Sequence, residues 1–250
     1  MKHLVIPDVQ AKDGNCFKFL TSIGNYIVAT KPEVIICIGD FADMESLSSY
    51  DEGKKSFEGR SYQKDILAAR DAMDALLTPI YEFNKRARQQ KHKPYKPRMV
   101  LTLGNHEARI SRAVNNDRKL DGLISLDDLP YQDWEVIPFL KVICIDGIAY
   151  AHYFTSGQKG LPVGKAEMLL NKKHMSCFAG HQQGRNIAYG KRADGKQITA
   201  IICGSCYMHD EVYLGEQDNQ HFRGLYVLHN VSDGSFDEVA IPLHYIKDNF

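Results

Sequence analysis

The segment LTLGNHEARI, residues 101–110, joins a strand-like run to a cluster of polar side chains. The apolar run RMVLTLG (98–104) ends at Gly104, and Asn105, His106 and Glu107 follow at once. Polar groups beside a buried strand cost free energy unless they are paired or bound to something. The same arrangement recurs along the chain, which predicts a site built at the ends of several strands.

Apolar and β-branched runs that are typical of strands recur throughout the sequence. They lie at 3–7, 33–39, 98–104, 140–146, 147–153, 176–180, 197–204, 224–231 and 238–246. Several lack a two-residue alternation, as expected for strands that are covered on both faces. Helical spacing of apolar residues predicts helices over 15–30 and 62–90, the second kinked or broken at Pro79. The order βαβαβ, followed mainly by strands and hairpins, predicts an α/β fold with two packed sheets and helices outside.

Length and composition favour one soluble domain over residues 1–250. The chain has 31 Lys plus Arg against 31 Asp plus Glu, so no overall field draws it to nucleic acid or to an anionic membrane. No apolar stretch is long enough for a membrane span, and Asp8 follows the first apolar run too closely for a signal peptide. Six cysteines without an export signal indicate reduced thiols in the cytoplasm. The C-x-x-C at 203–206 lacks a second pair, which favours packing over a redox or zinc role.

Five of the strand-like runs end in side chains that can bind metal or transfer protons. In order, these side chains are Asp8 and Gln10; Asp40 and Asp43; Asn105 and His106; His152; and His181 and Gln183. Sites in sheet proteins form at the carboxyl ends of strands, where loops take over from the sheet. Five strand ends that share one chemistry therefore predict a common site.

The ordered motifs D-x-Q, G-D-x-x-D, G-N-H-E, a lone His and G-H-x-Q resemble the calcineurin-like metallophosphoesterase superfamily. That family usually reads D-x-H, G-D-x-x-D, G-N-H-[ED], H and G-H-x-H. The resemblance spans residues 8–183 of this chain. It implies a four-layer αββα sandwich, with two mixed β-sheets flanked by helices, and a centre of two divalent metal ions.

The resemblance also implies a role for each residue of the motifs. Asp40 would bridge the two ions, and Asp8, Gln10 and Gln183 would complete the first site. Asn105, His152 and His181 would hold the second ion. His106 would stand beside the substrate phosphate as the catalytic residue, held and kept protonated by Asp43.

Gln10 and Gln183 stand where the family usually has histidine, and both belong to the first ion. Asp8, Gln10, Asp40 and Gln183 offer oxygen donors, which suit hard cations such as Ca²⁺, Mn²⁺ or Mg²⁺ and disfavour zinc or iron. The alternative interpretation is that the first site is weak or empty.

The implied activity is hydrolysis of a P–O bond by a hydroxide shared between two ions. The sequence GDFADME lacks the arginine that protein phosphatases of the family carry after the second aspartate. We therefore expect a phosphodiesterase acting on a nucleotide or nucleic-acid type of substrate. The alternatives are a phosphomonoesterase, a degenerate member that binds a phosphate ligand or a partner without turnover, and an assembly subunit of a larger nuclease.

Several charged residues near the motifs are candidates for substrate contacts. Arg109 and Arg185 can reach a phosphate, and the predicted hairpin 185–196 carries further cations that could grip a phosphodiester. The basic run 84–98 precedes its strand, which places it at the far end from the site, as a solvated helix end or as a nucleic-acid contact. Glu107 either supports the centre or caps the helix that follows it.

Overall fold

The computed structural model describes residues 1–49, 53–157, 159–211 and 214–250. Six strands form the first sheet in the order β13-β12-β1-β2-β3-β4. The neighbours β1, β2, β3 and β4 run parallel, whereas β12 is antiparallel to both β1 and β13. The strands are β1 (His3–Ile6), β2 (Val34–Cys37), β3 (Arg98–Thr102), β4 (Glu135–Ile137), β12 (Gly224–Ser232) and β13 (Ser235–Pro242).

Five strands form the second sheet in the order β10-β11-β9-β6-β5. Strand β9 runs parallel to β6 and β11, and the two edge strands are antiparallel to their neighbours. The strands are β5 (Ile143–Ile145), β6 (Ile148–Ala151), β9 (Ser176–Ala179), β10 (Arg185–Lys191) and β11 (Gln197–Cys203). A separate two-stranded ribbon pairs β7 (Thr155–Ser156) with β8 (Leu161–Pro162).

The helices lie outside the sheets or in the connections between strands. They are α1 (Lys18–Thr30), α2 (Tyr62–Gln89), α3 (Ala108–Asn116), α4 (Ala166–Lys173), α5 (Gly215–Asp218) and α6 (Leu243–Asn249). Ser61 caps α2 by accepting a hydrogen bond from the backbone N–H of Lys64. None of the helices in the described ranges is long and apolar enough to cross a bilayer.

Alternation along the strands divides the core into three apolar layers. Leu4 and Ile6 of β1 face the layer formed with α1, α2 and α6. Val5, between them, faces the second sheet and packs in a layer with Tyr150 and Phe178. A third layer joins the outer face of the second sheet to α4, which buries Leu169 there. The predicted α/β fold, a four-layer αββα sandwich of two mixed sheets flanked by helices, is confirmed.

The structure departs from the sequence-based boundaries in three places. The run 238–246 is strand only to Pro242, and α6 begins at Leu243 because Pro242 lies in extended backbone at its N-cap. Strand β4 was not predicted, since its three residues are exposed or half-buried and give no apolar run. Helix α2 continues through Pro79 without a break, so the predicted break is wrong.

The C-x-x-C cysteines are fully buried in separate layers, Cys203 between the sheets and Cys206 against the outer helices.

Candidate metal centre

The five predicted strand ends lie at one edge of the sandwich. Asp8, Asp40 and Asn105 follow the parallel strands β1, β2 and β3 of the first sheet. His152 and His181 follow the parallel strands β6 and β9 of the second sheet. The carboxyl ends of both sheets meet there, because the backbone N–H of His181 donates to Oδ2 of Asp8 at 3.0 Å.

Asp40 lies at the middle of this cluster, with a buried carboxylate in a left-handed backbone conformation (φ 47°). Its Oδ1 accepts a hydrogen bond from the backbone N–H of His106 at 2.9 Å. Its Oδ2 faces two imidazoles, 3.2 Å from Nε2 of His152 and 3.7 Å from Nε2 of His106. Burial alone would raise the pKa of Asp40, but the two histidines outweigh it and hold the pKa well below its ordinary value. This carboxylate is therefore charged, and its Oδ2 faces the centre.

The ring of His152 is fixed by the backbone of the neighbouring sheet. Its Nδ1 lies 3.0 Å from the carbonyl oxygen of Ile38. Because a carbonyl oxygen can only accept a hydrogen bond, Nδ1 carries the hydrogen. In the neutral ring, Nε2 then carries a lone pair, and it faces Oδ1 of Asn105 at 3.0 Å as well as Asp40. A backbone carbonyl that fixes the tautomer in this way is typical of histidines that bind metal.

When the ring of His152 is neutral, lone pairs of the surrounding side chains therefore converge on one point. Ligand atoms of Asp40, His152 and His181 all lie within 4.8 Å of one another. Burial would lower the pKa of His152, but Asp40 and Asp8 raise it to about 9. A proton on His152 then supplies the positive charge that a bound metal ion would otherwise supply. Burial, reinforced by His152, lowers the pKa of His181 to about 4 and keeps it in the neutral, metal-binding form. The donor set fits a divalent cation.

Asp8 supports this cluster from the end of β1. Its carboxylate is fully buried, and burial raises its pKa despite the opposing effect of His152. Besides the N–H of His181, its Oδ1 lies 3.9 Å from Nδ1 of His152. A second buried acid beside Asp40 is costly unless additional positive charge compensates it.

Two glycines leave the space that the carboxylates occupy. A Cβ on Gly104 would fall on Oδ1 of Asp40, far inside van der Waals contact, and a Cβ on Gly180 would do the same to Oδ1 of Asp8. A Cβ on Gly39 would lie 2.8 Å from Nδ1 of His152. Each of these three candidate ligands thus stands in a gap that only glycine provides.

The two glutamines differ in their surroundings. Gln10 is buried with φ 47°, and its backbone N–H donates to the carbonyl of Asp40 at 2.8 Å. Gln183 is half-buried, and its Oε1 accepts a hydrogen bond from the Tyr207 hydroxyl at 2.8 Å. An amide oxygen has two lone pairs, so it can in principle accept from a hydroxyl and bind a cation together.

His106 forms a buried ion pair beside the centre. Its Nδ1 lies 2.8 Å from Oδ1 of Asp43. Burial would lower the pKa of His106, but Asp40 and Asp43 together raise it. Nη1 of Arg109 is 3.3 Å from the same Oδ1 and also donates to the Asp43 carbonyl at 2.8 Å. Asp43 therefore holds the imidazolium from one side while Arg109 holds Asp43.

Glu107 anchors the loop that carries Asp40. Its carboxylate is fully buried and accepts hydrogen bonds from the Tyr131 hydroxyl and from four backbone N–H groups. The N–H donors belong to Asp40, Phe41, Ala42 and Gly104, at 2.7–3.1 Å. Its side chain makes no cap hydrogen bond to α3. Of the two interpretations from the sequence, the structure favours support of the centre over helix capping.

A second polar network adjoins the centre and was not predicted as functional. Tyr207 stacks on the ring of His209, whose Nε2 lies 2.7 Å from Oε1 of Glu211. Lys12 reaches the same oxygen at 2.8 Å and approaches Oδ2 of Asp43 to 4.0 Å. The network thus connects Gln183 to Asp43. The only signal in the sequence was the density of polar and aromatic residues in GSCYMHDE (204–211).

The predicted cationic segments lie in different places. The hairpin 185–196 forms as β10 and β11, joined through Asp194 and Gly195. Arg185, at its start, places its guanidinium over the Phe222 ring, 5.1 Å from the centroid. The basic run 84–98 ends α2 and leads into the amino end of β3, the opposite end of that strand from Asn105.

Comparison with known proteins gives only distant likenesses. No protein family model and no curated protein matches the chain. Among solved structures, it is similar to YfcE, a phosphoesterase from E. coli, with 12% sequence identity and a TM-score of 0.41, covering 96% of this chain and 100% of that one. Vps29 from Chaetomium thermophilum also has 12% identity, with a TM-score of 0.40 and coverage of 97% and 98%. These values are too low to transfer the properties of either protein.

Proposed function

We propose that this chain is a metal-dependent phosphoesterase that hydrolyses phosphodiesters, with a nucleotide or nucleic-acid type of substrate. The supporting observation is the convergence of the side chains of Asp40, Asn105 and His152 on one point, with His181 beside them. Divalent cations held there would neutralise the phosphate charge and make a nucleophile available at neutral pH. Asp8, Gln10, Asp40 and Gln183 would hold the first ion, and Asn105, His152 and His181, with Asp40 shared, the second.

His106 performs the proton chemistry in this proposal. Water adds to phosphorus, the bond to the leaving-group oxygen breaks, and that oxygen takes a proton from His106. The water loses its proton to solvent, and His106 regains one from solvent. Asp40 and Asp43 raise the pKa of His106 against the effect of burial, which favours the protonated imidazole that this step requires. Asp43 contacts the ring on the side away from Asp40, and Arg109 in turn contacts Asp43. The two contacts keep the ring in place.

The decisive experiment is a metal and substrate panel on chelator-treated protein. We expect hydrolysis of bis-p-nitrophenyl phosphate to exceed that of p-nitrophenyl phosphate and to be restored by Ca²⁺, Mn²⁺ or Mg²⁺. Greater activity on the monoester would instead identify a phosphomonoesterase. Restoration by zinc or iron alone would rule out the oxygen-only first site.

Two variants connect the activity to this centre. His106→Ala should lower kcat by about 100-fold or more while binding Mn²⁺ as the wild type does. Asp40→Asn should lose both metal binding and hydrolysis, because it removes the shared charge. His244→Ala, an exposed histidine on α6, is the matched control and should change neither. Full activity in His106→Ala would show that the hydrolysis arises elsewhere.

A further inference from the structure

A cavity of about 620 Å³ opens beside the loop that carries the last two candidate ligands. Its lining includes Gln182 and Gly184, the residues on either side of Gln183. In the sequence, the lining of the cavity therefore begins one residue away from Gln183, a candidate ligand of the first ion. Its volume lies within the ~300–1,000 Å³ of typical small-molecule sites. We call it the Lys165 cavity.

Two cations from different elements meet in this cavity. Lys165 precedes α4, and Arg185 begins β10. A hydrogen bond of 2.6 Å from the backbone N–H of Ala166 to Oδ1 of Asn186 ties the two elements together. Lys165 directly precedes Ala166, and Arg185 directly precedes Asn186. The hydrogen bond therefore sets the distance between the backbones of the two cations. Glu167 is the carboxylate of the lining, which leaves an excess of positive charge.

These two cations differ from Arg192 and Lys196 of the hairpin, which both have acidic partners. Arg192 pairs with Asp194 at 3.0 Å, and Lys196 pairs with Asp233. Within the described ranges, neither Lys165 nor Arg185 forms an ion pair. Arg185 stacks the face of its guanidinium on Phe222 and keeps its N–H edges available to donate. Unpaired cations in a cavity next to a phosphoester centre match an anionic ligand.

We propose that the Lys165 cavity binds a second phosphate group of the substrate, next to the phosphodiester that is cleaved. This inference rests on the proposed function and narrows its substrate class. Successive linkages of a nucleic-acid strand supply such a pair of phosphates, and so does a dinucleotide with a terminal phosphate. A diester with neutral arms, such as bis-p-nitrophenyl phosphate, leaves the cavity without its ligand.

The test compares substrates with and without the second phosphate. The probes are thymidylyl-thymidine, the same dinucleotide phosphorylated at its 5′ or its 3′ end, and bis-p-nitrophenyl phosphate. In the wild type, one of the terminal phosphates should raise kcat/KM about tenfold over the unphosphorylated dinucleotide, the gain from ~1.4 kcal/mol of added binding. In the double variant Lys165→Gln, Arg185→Gln this preference should disappear.

The matched control also removes two positive charges, both from positions of the hairpin 185–196 that lie outside the cavity. The double variant Lys191→Gln, Arg192→Gln should retain the full preference. The proposal is overturned if neither terminal phosphate improves the substrate, or if the control loses the preference equally. Without hydrolysis of any probe by the wild type, the proposed function fails. Calorimetric titration with the phosphorylated and unphosphorylated dinucleotides then tests the cavity alone. The terminal phosphate should raise the affinity of the Lys191→Gln, Arg192→Gln variant and should not raise that of the Lys165→Gln, Arg185→Gln variant.

Discussion

At the residue scale, the candidate centre depends on glycines as much as on the ligands themselves. Asp40 and Asp8 are buried acids that each occupy the space where a neighbouring residue would place its Cβ. Protein interiors have little free volume, so a carboxylate can stand there only if that Cβ is missing. The glycines at the ends of β3 and β9 therefore make room for the two acids that follow β1 and β2.

Gly104→Ala should weaken metal binding although it removes no ligand. The new Cβ would overlap Oδ1 of Asp40 and approach its backbone nitrogen to 2.5 Å, so the carboxylate must move. We expect Mn²⁺ affinity, measured by calorimetry, to fall at least tenfold, which corresponds to ~1.4 kcal/mol. Gly164→Ala is the control, since its Cβ would meet only Nε2 of Gln182, at 4.0 Å. Equal affinity in both variants would show that Asp40 tolerates displacement.

The sequence was most informative for residues that follow strands in the chain. Asp8, Asp40 and His152 were predicted together because the register of parallel strands brings their ends to one edge. Lys12 was not, because it approaches Asp43 through a side chain that extends from a loop. Loop backbone has no fixed period, so no spacing rule relates such residues before the fold is known. Lys165 and Arg185 line one cavity because a hydrogen bond joins their neighbours Ala166 and Asn186, which the sequence likewise does not reveal.

At the scale of elements, tertiary packing decided the points where the sequence misled. The run 238–246 looks continuous in hydrophobicity, yet it divides into strand and helix at Pro242. Pro79 was expected to kink or break the helix, yet α2 continues through it and packs against α1 at this point, where Gly24 lies close to Leu76 and Pro79. Burial of one face of a long helix outweighs the ~3 kcal/mol that an internal proline costs.

The contact between α1 and α2 gives a test in which two effects have opposite signs. Gly24 of α1 lies so close to α2 that a Cβ there would overlap the Leu76 carbonyl oxygen and lie 2.8 Å from Cγ of Pro79. Helix propensity alone would make Gly24→Ala stabilising by about 1 kcal/mol. We expect the free energy of unfolding to fall by about 1–3 kcal/mol instead, because overpacking forces the helices apart.

Chemical denaturation of Gly24→Ala and of Thr21→Ala measures this difference. Thr21 is exposed on the same helix, so its substitution should leave the free energy of unfolding unchanged or slightly raised. A stabilised Gly24→Ala protein would show that the two helices can separate without cost.

At the scale of the whole molecule, one histidine joins the two sheets away from the candidate centre. His3 belongs to β1 of the first sheet, and its fully buried ring reaches the second sheet. Nε2 lies 2.9 Å from Oδ2 of Asp146, and Nδ1 lies 2.9 Å from the Tyr150 hydroxyl. A neutral ring that donates from Nε2 and accepts at Nδ1 satisfies both partners. Burial lowers the pKa of His3 and outweighs the opposing effect of Asp146.

This histidine should make the sandwich less stable in mild acid. A pKa below the ordinary 6.5 in the folded state means that the unfolded chain binds the proton more readily. The contribution of His3 is therefore complete above pH 6.5 and is lost as the pH falls through its folded-state pKa. We expect the free energy of unfolding of the wild type to decrease more between pH 7.5 and pH 5 than that of His3→Gln. All other titrating groups are common to both proteins, so the difference between the two decreases isolates this ring. An equal decrease in both would mean that His3 is as easily protonated in the folded protein as in the unfolded chain, and that the junction between the sheets does not depend on its neutral form.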